Sequence, residues 1–305
     1  MSKKNMRRAL FHGLRATARL VALGGTRALA RYGSAFGALH FWLGVRSRRQ
    51  LLKQMARLMP QRAAQGQLPG DLLEAYRVND RAIIEILAAY SGSLRPNQSA
   101  GICELENPEV LDRALAQGDG LILLGMHMGN GVAMAITLAT LGYPVSVVYR
   151  ESNKITPAFF RDGIQRQGLE AIAAKPPAAG FRAMMRALRC KRIVFILMDQ
   201  ASKQGGVPTH FLGKKLDMPP GPAELGRRAG APIVPALLTG VDARWRFRFE
   251  EPILLDRSRP LAEEVKMLTD VLEAHILQHP QWWTWHQRRW RRYPFLPDSP
   301  TGPAP

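Results

Sequence analysis

The chain has 305 residues, 46% of them hydrophobic, with a formal net charge of +19 and two cysteines. That composition excludes general disorder, and the length suffices for one large α/β domain or two smaller ones. Cys103 and Cys190 fit neither a metal-ligand spacing nor a disulfide framework, so the chain points to a reducing compartment or one that makes no use of disulfides.

The charge is unevenly spread. No Asp or Glu precedes Asp71, whereas the first 70 residues hold 14 Lys or Arg; the rest of the chain carries 29 basic against 24 acidic residues. The N-terminal segment therefore calls for a polyanionic neighbour, either nucleic acid or an anionic membrane surface.

In chain order, residues 1–60 read as basic helices closed by Pro60. Within them "YGSAFGALHFWLGV" (32–45) lacks any formal charge and is bracketed by Arg31 and by "RSRR" at 46–49. The run is short for a bilayer span, and counting back to Ala28 makes it only marginal. An interfacial or re-entrant helix suits it better, so the segment reads as membrane-seating. The alternatives are a hairpin packed on the domain and an Arg-rich transit peptide lacking a cleavage signature. "PQRAAQGQLPG" reads as a polar loop and "DLLEAYRVNDRAIIEILAAYSG" as a helix. From about residue 105, short apolar runs alternate with helical segments. Strands are predicted at 120–127, 144–150, 192–200 and 231–240, with "RWRFRFEEPILL" alternating like an edge strand. This order predicts an α/β fold, a mostly parallel sheet flanked by helices. The organisation is then an N-terminal basic, apolar segment (1–60), an α/β domain (61–295) and a loose tail (296–305).

Polar residues gather at one end of the predicted strands. His127, the Arg150–Glu151 pair and the Asp199–Gln200 pair each follow an apolar run, and in open α/β sheets that C-terminal edge is where ligands bind. His127 precedes "MGNG", so its imidazole is a candidate general base. Backbone N–H groups of Gly129 to Gly131 would then face developing negative charge; a packed, hydrogen-bonded histidine is the plainer reading. "GMHMGNG" has neither the dinucleotide-binding spacing nor a phosphate-loop lysine. Asp199 is a candidate acid, or else a helix cap or a partner for Lys203. Arg150 and Arg161 suit a clamp on an anionic headgroup, or a solvated face. The closing "HPQWWTWHQRRWRRYP" fits a base-stacking surface, a membrane-interface belt or a buried closing segment.

Four blocks carry a family resemblance: "GLILLGMHMGN", "VVYRESN", "VFILMDQASKQGGVPTHFLGKKLDMPPGPAELGRRAGAPIVPALL" and "HPQWWTWHQRRWRR". Their order over residues 105–293 resembles the late lipid A acyltransferases, the lauroyl and myristoyl transferases of the lysophospholipid acyltransferase superfamily. The resemblance implies a glycerolipid acyltransferase-like fold and an enzyme at the cytoplasmic face of the cell inner membrane. Such an enzyme moves an acyl chain from a thioester, usually of acyl carrier protein, to a hydroxyl of a lipid or glycolipid, a lipid A-type acceptor first. It implies no metal or organic cofactor, and nucleic acid is not an expected partner. His127 matches the family's catalytic histidine. Arg150 and Asn153 match a block lining the acceptor side, and Asp199 and Gln200 match the third-strand motif. Gly129, Asn130 and Arg161 complete the candidate substrate-binding set.

One departure matters. The family pattern is a histidine, four residues, then Asp or Glu; here that place holds Val132, with Gly131 where an aromatic residue is common. Valine cannot fix an imidazole tautomer or stabilise imidazolium. Three expectations follow. Another carboxylate substitutes, Asp199 before Glu151; or His127 acts unassisted on an activated thioester; or the chain is a lipid-binding pseudoenzyme. The altered motif also allows an acceptor other than lipid A.

Overall fold

The computed structural model describes residues 3–150, 158–286 and 288–296. Helices α1 (Lys3–Val21), α2 (Gly25–Leu43), α3 (Val45–Leu58) and the short α4 (Pro60–Ala64) lead into the long α5 (Leu68–Tyr90). After α6 (Pro96–Ala100) come β1 (Cys103–Glu106), α7 (Glu109–Ala116), β2 (Leu121–Gly125), α8 (Gly131–Thr140) and β3 (Val145–Tyr149). Next follow α9 (Phe159–Arg166), β4 (Glu170–Ala173), α10 (Pro177–Arg189) and β5 (Ile193–Leu197). A hairpin, β6 (Val207–Phe211) and β7 (Lys214–Met218), precedes α11 (Gly221–Ala229), β8 (Ile233–Val241), β9 (Trp245–Phe249), α12 (Leu261–Gln278) and α13 (Arg288–Arg291).

The expected α/β architecture is present. Seven strands form one sheet in the order β1-β9-β8-β2-β5-β3-β4, parallel except where β8 meets β9. The central strands are apolar runs, Leu121–Leu124 and Ile193–Ile196, buried as parallel strands covered on both faces must be. Crossovers β2→β3 and β3→β4, between parallel strands, step one way along the sheet, and β4→β5 and β5→β8 step back. Right-handed connections therefore put α8 and α9 on one face and α10 and α11 on the other.

Sequence periodicity misplaced three features. β9 is not an edge strand: it lies between β1 and β8, and its alternating Trp245, Phe247 and Phe249 are buried. Pro60 closes α3 but also opens α4, where a missing N–H costs nothing. The uncharged stretch 32–45 forms the second half of α2, and one of its faces packs on the domain. Leu29, Gly33, Gly37 and Phe41, four residues apart, are the buried stripe. A Cβ at Gly37 would lie 2.4 Å from the Tyr76 carbonyl oxygen, and one at Gly33 2.6 Å from the Arg81 Cα. Glycine is thus what lets α2 lie directly on α5. Leu29, Phe41, Leu51 and Met55 join the same continuous core as the sheet, so the N-terminal helices share the domain's interior. No helix among the described residues is long and apolar enough to cross a membrane.

Candidate active site

Strand register brings the site together. β2 and β5 pair in parallel with Leu121 opposite Ile193 and Gly125 opposite Leu197. Two residues beyond each strand stand His127 and Asp199, level with one another. The His127 Nδ1 lies 2.7 Å from Asp199 Oδ1, and the His127 backbone N–H donates to Asp199 Oδ2 at 3.0 Å. The first of the candidate substitute acids therefore meets the candidate base. The imidazole side chain is 38% exposed while the carboxylate is fully buried. Burial alone would push the Asp199 carboxyl up. The positive charge of His127, bonds from its ring and backbone, and the Trp283 indole outweigh this, so the group is held below the usual carboxylate range. A buried acceptor-only carboxylate fixes the proton on Nδ1 and leaves the Nε2 lone pair as the basic position.

Trp283 was not anticipated as a site residue. Its indole N–H donates to Asp199 Oδ2 at 2.8 Å, a second donor on the oxygen that the His127 N–H also bonds. The C-terminal block straps across the His127 turn: Trp283 bridges Met128 in antiparallel fashion, and the Thr284 hydroxyl donates to the His127 carbonyl at 2.9 Å. Trp283, Trp285 and Trp290 are fully buried and stack edge-on, with ring centroids 4.9–5.8 Å apart. Of the three readings of the Trp/Arg block, the buried closing segment is the one found. Buried Lys214 on β7 anchors it, its Nζ 3.7 Å from the Trp290 ring centroid. The clustering of tryptophans was the available sequence signal; which polar group they serve was not.

Gln200 places its amide nitrogen 3.1 Å from His127 Nε2 and 3.4 Å from Nδ1. A donor lying in the ring plane on one nitrogen cannot be this close to both, so the amide sits over the ring. The in-plane lone pair of Nε2 stays open to a substrate hydroxyl.

Other predicted residues have different roles. Asn130 is not offered to substrate: its Oδ1 caps α8 by accepting from the Ala133 N–H at 3.0 Å, and its amide nitrogen donates to buried Glu85 at 2.9 Å. Glu85 also accepts from Trp245 Nε1 and from Arg81 Nε, and this buried cluster was missed in the sequence because Asn130 and Trp245 lie 45 and 160 residues from Glu85. Gly129 takes φ 63°, and a Cβ there would meet Leu238 and the Trp245 ring within 3.0 Å. It is required by the turn that presents His127. Val132 shares a small apolar hollow with Ile86, Ala89, Leu94 and Ile136 on the α5 side, so this position has been recruited to helix packing. Arg150 is exposed just past β3 at the same edge. Arg161 on α9 pairs with Asp162 at 3.0 Å. Glu151, the second candidate acid, and Asn153 lie outside the described residues. Among the described residues no group of His, Cys, Asp and Glu is arranged to hold a metal ion.

A half-exposed imidazole, oriented by a buried carboxylate at the C-terminal edge of a parallel sheet, is the machinery of enzymes that deprotonate a hydroxyl for attack on an acyl carbon. The family model described as bacterial lipid A biosynthesis acyltransferase matches residues 4–292, and the chain belongs to that family. It is an acyltransferase. The phosphatidylinositol mannoside acyltransferase of Mycobacterium tuberculosis (strain ATCC 25618 / H37Rv) is 27% identical over 248 residues, 79% of this chain and 76% of that protein. The enzyme of the same description from Mycolicibacterium smegmatis is 24% identical over 253 residues, 79% of each. Among solved structures, the 1-acyl-sn-glycerophosphate acyltransferase PlsC from Thermotoga maritima covers 92% of this chain and 99% of its own, at TM-score 0.42 and 11% identity.

Proposed function

We propose that the protein transfers a fatty acyl chain from the thioester of acyl carrier protein to a hydroxyl of a glycolipid, at the surface of the cytoplasmic face of the inner membrane. The observation that carries the mechanism is the 2.7 Å contact between His127 and buried Asp199. His127 Nε2 takes the acceptor hydroxyl proton as that oxygen attacks the thioester carbonyl. The tetrahedral intermediate collapses, the C–S bond breaks, and the leaving thiolate receives the proton from imidazolium. Asp199 stabilises the imidazolium and keeps Nε2 aimed outward, the task that the acid after four intervening residues has in the family pattern. A lipid A-type acceptor follows from the family, and the phosphatidylinositol mannoside acyltransferases among the relatives support a glycolipid as the acceptor class.

The surface of the N-terminal helices supports seating on an anionic membrane. Leu20, Leu23, Trp42 and Leu43 are 61–86% exposed, among Arg and Lys and with no acidic residue before Asp71. The helices would lie in the interface, their other faces packed on the domain.

The reading is tested with purified full-length protein, acyl carrier protein charged with a labelled acyl chain, and either a lipid A precursor or a phosphatidylinositol mannoside as acceptor. A product heavier by one acyl group with wild type, absent with His127→Ala, is expected. Equal transfer by both proteins would refute His127 as the base. Transfer from acyl coenzyme A alone would refute the donor, and Trp42→Ser with Leu43→Ser leaving vesicle binding unchanged would refute the seating.

A further inference from the structure

A second histidine–carboxylate pair lies away from the candidate active site, where the C-terminal end of α2 turns into α3. His40 Nδ1 is 2.9 Å from Asp80 Oδ2; the imidazole is 47% exposed and the carboxylate side chain only 5%. Asn79 Nδ2 holds the other Asp80 oxygen at 2.7 Å. Each Asp80 oxygen thereby has a hydrogen-bond partner. The hydrogen bond from His40 raises that imidazole's affinity for its proton, with Asp80's charge adding to it against the opposing effect of burial.

Around His40 the neighbours are cations and hydroxyls. The His286 ring lies 5.8 Å from His40 and 5.0 Å from Tyr76, and the Tyr76 ring lies 4.8 Å from His40. Arg291 Nη1 donates to Ser47 Oγ at 2.6 Å, and the Tyr76 phenol adjoins Ser47 and feels the charges of Arg291 and Arg48. Neither Arg48 nor Arg291 is in a salt bridge among the described residues. The N-terminal end of α3 opens here without a side-chain cap, adding the positive end of its dipole. The buried Nδ1 of His286 has no hydrogen-bond partner among the described residues, and a native fold rarely leaves such an atom unsatisfied. Burial first, and then the charges of His40 and Arg291, keep His286 from taking a second proton, pushing it down to about 4.

This corner therefore collects donors and the Arg48 and Arg291 guanidiniums around one carboxylate, whose two oxygens are engaged by His40 and Asn79. A guanidinium, a half-exposed imidazole whose Nδ1 is held by Asp80 and two hydroxyls suit a tetrahedral oxyanion offering several acceptor oxygens. The same corner carries exposed Trp42, Leu43 and Val45 and, on α3, exposed Arg46 and Arg49. It is tied to the candidate active site through Asn79, whose Oδ1 is 3.1 Å from the Thr284 hydroxyl that binds the His127 carbonyl. We propose that His40, Ser47, Tyr76, His286 and Arg291 form a phosphate-ester site that holds the headgroup phosphate of an anionic lipid at this corner. The assignment to a lipid rests on the membrane-seating reading above; the preference for phosphate rests on the cluster alone.

The test is vesicle co-sedimentation with the full-length protein. Phosphatidylcholine vesicles are doped to equal surface charge with phosphatidate or with oleate, which carries a carboxylate in place of a phosphate. Wild type should bind the phosphatidate vesicles about tenfold more tightly, the scale of one charge-assisted hydrogen bond. His40→Gln and Arg291→Gln, singly and together, should erase that preference while retaining binding to oleate vesicles. The control pair Arg46→Gln and Arg49→Gln should weaken both vesicle types alike, and thermal melting confirms that each variant is folded. A phosphatidate preference absent from wild type, or surviving in the double variant, overturns the site while leaving membrane seating intact. Wild type that binds neither vesicle overturns seating and the lipid assignment together. A phosphorus-31 titration that shows tight binding of inorganic phosphate, with no vesicle preference, would reassign the cluster to a soluble phosphate ester and overturn the lipid proposal.

Discussion

Replacing Asp199 by asparagine changes one atom and sets the proton on the wrong nitrogen. Oδ2 accepts from two groups that can only donate, the His127 N–H at 3.0 Å and the Trp283 indole at 2.8 Å. In Asp199→Asn the amide oxygen must take that side, because an NH2 there would face two donors. The NH2 is then directed at His127 Nδ1, which has to accept. The ring proton moves to Nε2 and the base is lost, although every buried polar group still has a partner. The same replacement beside a catalytic histidine elsewhere costs about 10⁴ in turnover, or roughly 5 kcal/mol of transition-state stabilisation. Stability should change little, by less than about 1 kcal/mol, since the hydrogen bonds are conserved in number. The assay is acyl transfer from a labelled thioester by wild type and Asp199→Asn, with near-ultraviolet circular dichroism and melting to show that both are folded. Turnover by a folded Asp199→Asn within tenfold of wild type would show that the carboxylate does not set the tautomer.

Further expectations follow from other contacts. Asp199→Ala should lose stability as well as activity, roughly 1–3 kcal/mol for each of the two orphaned buried donors, read from denaturant midpoints; an unchanged midpoint would mean that water replaces the carboxylate. Val132→Glu restores the family acid in sequence but puts it in an apolar hollow that Glu85 also lines, so it should destabilise the fold without raising turnover; faster turnover would show that the site lacks a carboxylate. Gly37→Ala drives a methyl group toward the Tyr76 carbonyl 2.4 Å away and should cost about 1–3 kcal/mol by prising α2 from α5, with the melting temperature as readout. Buried His275 on α12 bonds the Leu238 carbonyl and is pushed down to about 4 by burial. Its folded value lies below the unfolded 6.5, so the neutral form's contribution is complete above pH 6.5 and is lost as pH falls toward 4. The stability difference between wild type and His275→Gln should therefore shrink by about 3 kcal/mol between pH 7 and pH 4; a difference independent of pH would show that His275 titrates normally.

The alternation of apolar runs with helical spacing is a local property, so the parallel sheet and the strand that delivers His127 were legible from the chain itself. The edge position of His127, Arg150 and Asp199 was legible for the same reason, since each simply follows a strand. Three particulars were not. That Asp199 stands beside His127 depends on the β2–β5 register, and register is a relation between segments about 70 residues apart. That the tryptophan block is a buried strap supplying an indole to Asp199, instead of a stacking surface or a membrane belt, depends on which face of the domain the last segment crosses. The glycines of α2 read as part of an apolar, membrane-like run because hydropathy does not register how close two backbones come. Periodicity, then, determined the elements and the sheet, and four motif blocks in order carried the likeness to lipid-acylating enzymes. Only the tertiary structure decided which donors and acceptors meet, because hydrogen bonds are satisfied in space and the chain places their partners far apart in sequence.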